Sequence, residues 1–323
     1  MQPRAIAAAA LSIAALWAAL CASPSLGARA SAQQVPVFHG GVDLVHLGVT
    51  VTDKKGTLVT DLTADDFQID EDGKKQTVTY FSSGLDSGPD TLHTHLGLLL
   101  DVSESMGEDI GFTKTAAIKF LNSLLEAVDI TMIDFDTEVR STRYSQADFA
   151  RLIERIRLQK ASGNTALYDA IGVYLTGTAG QDGRKVMLLY TDGGDTRSSM
   201  SFVDLYSLLK ASDATLYVIG ELEHQLSLSR TEQRMRLQQM AEATGGQAFF
   251  PVSVKELDQM YEKVLAEVRA QYTIGYLPTN DTADGAWRKV DVKVRRKDCR
   301  VRSRKGYFGP YKRIPYDDRR RTR

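Results

Sequence analysis

From Leu96 to Gln271, short apolar runs of strand length alternate with longer segments whose apolar residues recur every three or four positions. That alternation predicts a doubly wound, mostly parallel sheet covered by helices. The expected strands are Leu96–Leu100, Ile130–Phe135, Lys185–Tyr190, Thr215–Ile219 and Gln247–Pro251. Between them lie helical patterns: one carrying Ala116, Ile118, Phe120, Leu121, Leu124 and Leu125, one around Phe149, Leu152, Ile153 and Ile156, and one with Phe202, Leu205 and Leu208. Two more run from Thr231 to Ala243, stopped by Thr244-Gly245-Gly246, and from Val254 to Ala270. On either side the period falls to two: Val45, Leu47, Val49 and Val51, then Phe67 and Ile69, come before, and Tyr272–Tyr276, then Val290, Val292 and Val294, then Gly306-Tyr307-Phe308 come after. Neither flank has enough strands to be stable alone, so the two are expected to pair into one small β domain with the α/β domain inserted between them.

The expected layout is a β module over 41–82, a linker over 83–94 rich in Ser, Gly, Asp and Pro, the α/β domain over 95–270, a β segment over 271–310 and a basic tail over 311–323. Residues 1–32 read as a secretory signal peptide: Arg4 precedes an apolar run from Ala5 to Leu20, and Ala30-Ser31-Ala32 offers small residues before Gln33. Its removal takes two arginines and no acid, moving the formal charge from −1 to −3. Cys21 leaves with it, and Leu20 is larger than the residue a lipidation signal places there, so Cys299 remains alone without an internal disulfide. No later apolar run approaches bilayer-spanning length, which predicts a soluble protein exported to the periplasm or beyond the cell. The near-balanced charge speaks against general nucleic-acid binding. Arg and Lys collect over 288–323, ending Arg319-Arg320-Arg321-Thr322-Arg323. A solvated face and frayed tail explain them, and weak attraction to an anionic surface is the alternative.

The chemistry concentrates where the first parallel strand ends. His95 to Leu100 runs into Asp101-Val102-Ser103-Glu104-Ser105-Met106, which delivers a carboxylate and two hydroxyls to the carboxyl edge of the sheet, where α/β folds bind ligands. The donors are hard oxygens with no imidazole or thiolate, a set suited to Mg²⁺, Mn²⁺ or Ca²⁺. Two later strings point to the same edge: Gly163-Asn164-Thr165-Ala166-Leu167-Tyr168-Asp169-Ala170, and Leu189-Tyr190-Thr191-Asp192-Gly193-Gly194-Asp195. Thr165 stands where a helix begins and has two readings, ligand or N-cap. Asp195 either orients waters or caps the helix of Phe202.

These three strings resemble the von Willebrand factor type A family, whose metal-ion-dependent adhesion site is written Asp-x-Ser-x-Ser, then a Thr, then an Asp. The resemblance implies that Ser103, Ser105 and Thr165 bind a divalent ion directly, while Asp101 and Asp192 hold it largely through waters. It implies further that an Asp or Glu of a partner protein fills the open position, and that Ile130–Phe135 runs antiparallel at an edge. Asn164 departs mildly from the Gly more usual there. The whole layout, closed by Tyr272-Thr273-Ile274-Gly275-Tyr276, is also similar to bacterial exported VWFA-related proteins.

Other chemistry fits less well. The acidic run from Asp65 to Asp72 lacks EF-hand spacing, and Asp72-Gly73 is explained as a hairpin turn. His93 and His95 have no Cys or further His nearby to complete a zinc site, and Met235 and Met240 read as core or interface filler. An aspartyl phosphatase needs an Asp where Ser103 stands, and no Gly-x-Ser-x-Gly with a His partner marks a serine hydrolase. The sequence therefore predicts a non-catalytic, metal-dependent protein-binding module. A structural subunit whose metal only staples loops is the alternative.

Overall fold

The computed structural model describes residues 44–84, 92–123, 127–223 and 227–310. The expected signal peptide, Leu124 and Leu125, most of the linker and the basic tail lie outside the described residues. In chain order the elements are β1 (Val45–Asp53), β2 (Phe67–Glu71), β3 (Lys74–Gln76), β4 (Val78–Ser82), β5 (Thr94–Asp101), α1 (Ile110–Ser123), β6 (Ala127–Phe135) and β7 (Val139–Ser145). Then come α2 (Phe149–Leu158), α3 (Leu167–Thr178), β8 (Arg184–Thr191), α4 (Phe202–Ala211), β9 (Thr215–Gly220), α5 (Ser227–Ala243) and β10 (Gln247–Phe249). The chain continues through α6 (Val254–Ala270), β11 (Tyr272–Tyr276), β12 (Trp287–Val294), β13 (Cys299–Arg302) and β14 (Gly306–Phe308).

The central sheet has the order β10-β9-β8-β5-β6-β7, and every neighbouring pair is parallel except β6 with β7. The antiparallel edge is therefore β7, and the segment Ile130–Phe135 expected there lies inside, parallel to β5. β5 is apolar on both faces because both are covered. Leu96, Leu98 and Leu100 enter a core with Phe120, Leu152, Ile156, Tyr261 and Val264, from α1, α2 and α6. Leu99 enters a second core with Ile171, Tyr174, Leu205, Leu209 and Leu237, from α3, α4 and α5.

The flanking strands interleave. One sheet runs β13-β1-β11-β4 and the other β14-β12-β2-β3, each mixing strands from both ends of the chain. They share a core built on Leu47, Val49, Ile69, Tyr272, Ile274 and Val290, and Asp72-Gly73 turns the β2–β3 hairpin. Inside this core the Glu71 carboxylate accepts hydrogen bonds from the Tyr276 hydroxyl (2.7 Å) and the Tyr307 hydroxyl (2.8 Å). Arg302 of β13 reaches into the α/β layer, donating to Gly245 O (3.0 Å), Gln247 Oε1 and Glu267 Oε2. Buried Arg304 likewise joins His46 O (2.7 Å) to Ser212 O (3.3 Å). Among the described residues no helix is long and apolar enough to cross a membrane.

Candidate metal centre

Asp101 is the last residue of β5 and is fully buried, so its carboxylate needs partners. Oδ1 accepts from the Ser103 N–H (3.0 Å) and the Ser103 hydroxyl (2.5 Å), and Oδ2 accepts from the Thr191 hydroxyl (2.7 Å) across the neighbouring strand. Ser103 Oγ lies 3.1 Å from Ser105 Oγ. The chain Asp101, Ser103, Ser105 thus leads from a buried carboxylate to an exposed hydroxyl, since Ser103 is buried and Ser105 faces solvent.

Thr165 and Asp192 arrive on separate loops that are tied to the first. Ser162 N–H donates to Val102 O (2.8 Å), and Glu104 N–H donates to Gly163 O (3.0 Å). The Thr165 carbonyl accepts from Thr196 N–H (2.9 Å) and Arg197 N–H (3.0 Å), and its own N–H donates to the Thr196 hydroxyl (3.0 Å). Ala166, not Thr165, stands at the N-cap of α3, so the capping role considered for Thr165 does not apply. Asp192 follows β8, buried, and Gly193 turns the chain there at φ +83°, a conformation that suits only glycine well.

Burial pushes the Asp101 carboxyl up to about 7, with the neighbouring Asp192 charge adding to the effect, and the bonds from Ser103 and Thr191 oppose it only in part. At the end of β9, Glu221 is pushed up to about 8, again by burial first and then by Asp109. Charging these buried carboxyls is therefore costly, and a cation placed there would relieve that cost. The donors fit a hard divalent ion: two carboxylates and three hydroxyls, one of them on the solvent side. Among the described residues there is no group of three or more His, Cys, Asp or Glu side chains placed to hold a metal ion. His95 has both ring nitrogens engaged, Nδ1 with Asp129 Oδ2 and Nε2 with Asp182 O, each at 2.9 Å.

Asp195 does not cap α4, where Ser201 accepts from Asp204 N–H (3.2 Å). Its Oδ1 accepts instead from Tyr168 N–H (3.2 Å) in the first turn of α3 and from the Ser198 hydroxyl (2.6 Å). Asp169, one residue on, holds the same loop through Ser199 N–H (2.8 Å) and Met200 N–H (2.9 Å). The sequence reading gave no role to Thr191. Its only signal is register: β5 and β8 run parallel with Leu100 opposite Tyr190, which sets the next residue of β8 beside Asp101.

An open, mostly parallel α/β sheet with carboxylates and hydroxyls gathered at its carboxyl edge defines a binding module of the doubly wound class. The von Willebrand factor type A domain family matches residues 95–263, and the chain belongs to that family. Similar solved structures include a von Willebrand factor type A protein from Catenulispora acidiphila, 12% identical over 76% of this chain and 74% of that one, with a TM-score of 0.48. The PilB minor pilin from Streptococcus sanguinis is 12% identical over 57% of this chain and 63% of that one, TM-score 0.46. BatB from Bacteroides thetaiotaomicron is 13% identical over 55% of this chain and 99% of that one, TM-score 0.42. No curated protein matches the chain.

Proposed function

We propose that this protein is an exported, non-catalytic module that binds a partner protein through a divalent cation, Mg²⁺ or alternatively Mn²⁺ or Ca²⁺, held by Asp101, Ser103, Ser105, Thr165 and Asp192. The observation that carries the reading is Asp101: a fully buried carboxylate beside a second carboxylate, with two hydroxyls leading from it to the surface. When bound, the cation supplies positive charge and an open position able to accept a carboxylate oxygen. The protein's share is orientation. Thr191 and the Ser103 N–H fix both oxygens of Asp101, and backbone hydrogen bonds tie the loop of Thr165 to the loop of Ser103. An Asp or Glu of the partner completes the set.

The loops bearing the site are already joined by direct hydrogen bonds, so a metal that merely staples them would be redundant; this favours the binding reading over the structural one. His95, at the far end of β5 from Ser103 and with both ring nitrogens occupied, is not placed to serve Ser103 as a base in a hydrolytic reading.

Titrating Mg²⁺ into the purified protein and into Asp101→Ala tests the site. At a hundredfold excess over Kd the wild type should gain about 2.7 kcal/mol, or roughly 5 °C or more in Tm, and the variant nothing. Equal responses would sink the metal site. Capture of a partner from cell-envelope extract in Mg²⁺ but not in EDTA, and not by Asp101→Ala, tests the binding step. Equal retention in all three arms would move the binding surface elsewhere.

A further inference from the structure

A cavity of about 200 Å³ opens between the start of α1, the end of β9 and the start of α6. A single water needs only about 15 Å³ of such space, so there is room for a long side chain. Part of its lining is apolar: Leu257 is buried, while Phe112 (46% exposed) and Val252 (57% exposed) hold large hydrocarbon surfaces at the mouth. The charged groups among its described lining residues are all acids: Asp109, Glu221 and Glu223.

The chain brings these acids together beside the metal edge. The Glu221 N–H donates to Thr191 O (2.9 Å), which sets Glu221 next to the strand end that holds Asp101. Leu222 packs into the core with α3, α4 and α5, and the residues on either side of it, Glu221 and Glu223, line the cavity instead. Thr113 ties Glu221 to the start of α1, donating its N–H to Asp109 O (2.9 Å) and its hydroxyl to Glu221 Oε1 (3.2 Å). That hydroxyl is the single hydrogen-bond partner of the Glu221 carboxyl among the described residues. Arg230 offsets part of the charge, with Nη1 3.6 Å from Glu223 Oε2.

The combination selects an occupant. The acids are not a group placed to hold a metal ion, so an inorganic cation is not what they fit. An anion would be repelled, and a plain hydrocarbon would bury the Glu221 carboxyl further without pairing it. A cation on an alkyl stem satisfies both kinds of lining, with apolar surface for the stem and carboxylates for the head. We propose that this cavity takes a Lys or Arg side chain of the protein partner, its stem against Phe112 and Val252 and its cationic head at Glu221 and Asp109. That the cation belongs to a partner rests on the binding reading above; the preference of the cavity for an alkyl cation does not.

Titration of the ¹⁵N-labelled protein with n-butylammonium in metal-free buffer tests that preference, following the backbone amides of Phe112 and Val252 by NMR. It is run at about pH 9, above the value of about 8 to which burial, and after it Asp109, push the Glu221 carboxyl, so that this acid is charged. Saturable shifts are expected, with 1-butanol, which has the stem without the charge, binding about tenfold more weakly. Glu221→Gln keeps the acceptor for Thr113 and should weaken butylammonium by about tenfold while leaving butanol unchanged. Phe112→Ala, followed through Val252, should weaken both compounds together. Equal binding of the two compounds, unchanged binding in Glu221→Gln, or shifts confined to Gly193 and Gly194 at the metal edge would overturn the proposal. With no metal present, these results leave the Mg²⁺ titration to stand on its own. A partner captured in Mg²⁺ should be retained several-fold less by Glu221→Gln, and equal retention would overturn the assignment of the cation to that partner.

Discussion

Thr191 shows how much a single hydroxyl can be asked to do. It donates to Asp101 Oδ2 and accepts from the Gly193 N–H at 3.0 Å, so it couples the buried carboxylate to the loop that carries Asp192. Thr191→Val keeps the shape of the side chain while freeing that carboxylate oxygen. We expect Mg²⁺ affinity to fall about tenfold, as removal of a group that orients a metal ligand usually does, with the sheet intact by circular dichroism. Unchanged affinity by calorimetry would show that Asp101 needs no help to hold its orientation. The Asp101, Ser103, Ser105 chain was legible in the sequence because its spacing is local and its members hydrogen-bond within four residues of one another. The partners of Thr191 and Asp195 were not, because those contacts depend on strand register and packing between distant segments. A capping residue announces only that some helix start is near, and Asp195 serves α3, which precedes it, not α4, which follows.

Among the elements, α3 matters most for the site, since the loop entering it carries Thr165. Its seat on β5 depends on Gly97: a Cβ there would lie 2.2 Å from the Tyr174 ring. Gly97→Ala should therefore cost about 3 kcal/mol by overpacking, read as a shift in denaturation midpoint. Pairing it with Tyr174→Leu should recover part of that loss. If the double variant is no more stable than Gly97→Ala, the close approach is not the cause. The strands of the central sheet were readable because burial on both faces leaves long apolar runs. β7 was not: Val139-Arg140-Ser141-Thr142-Arg143-Tyr144-Ser145 has a single fully buried residue, Tyr144, and its arginines serve acids of β6. Arg140 Nε donates to Asp134 Oδ2 (2.6 Å), while Arg143 Nη2 donates to Asp129 Oδ2. An edge strand held this way carries a charge pattern that hydrophobic periodicity does not detect, and the antiparallel edge was consequently assigned one strand too early.

In the whole molecule, arginines of the C-terminal strands tie the β sheets to the α/β layer. Arg302, with acceptors at Gly245, Gln247 and Glu267, is the main one. Removing it leaves the Glu267 carboxylate, only 9% exposed as a residue, without its cation. Wild-type protein should unfold with Trp287 fluorescence, which reports the β sheets, and helical circular dichroism in step. In Arg302→Met the fluorescence transition should come first, at lower denaturant, and coincident curves would show that the two layers cohere without this residue. The joint has a mechanical meaning as well. The chain leaves β4 for the α/β domain and returns directly into β11, and these two strands are neighbours, with Ser82 opposite Thr273. Entry and exit therefore form a two-stranded stem at the end of β5 remote from Asp101. A pull on the carboxyl edge would load β11 along its length against β1, a ladder from Val49–Tyr272 to Val45–Tyr276. Its hydrogen bonds would then share the force in shear instead of opening one at a time.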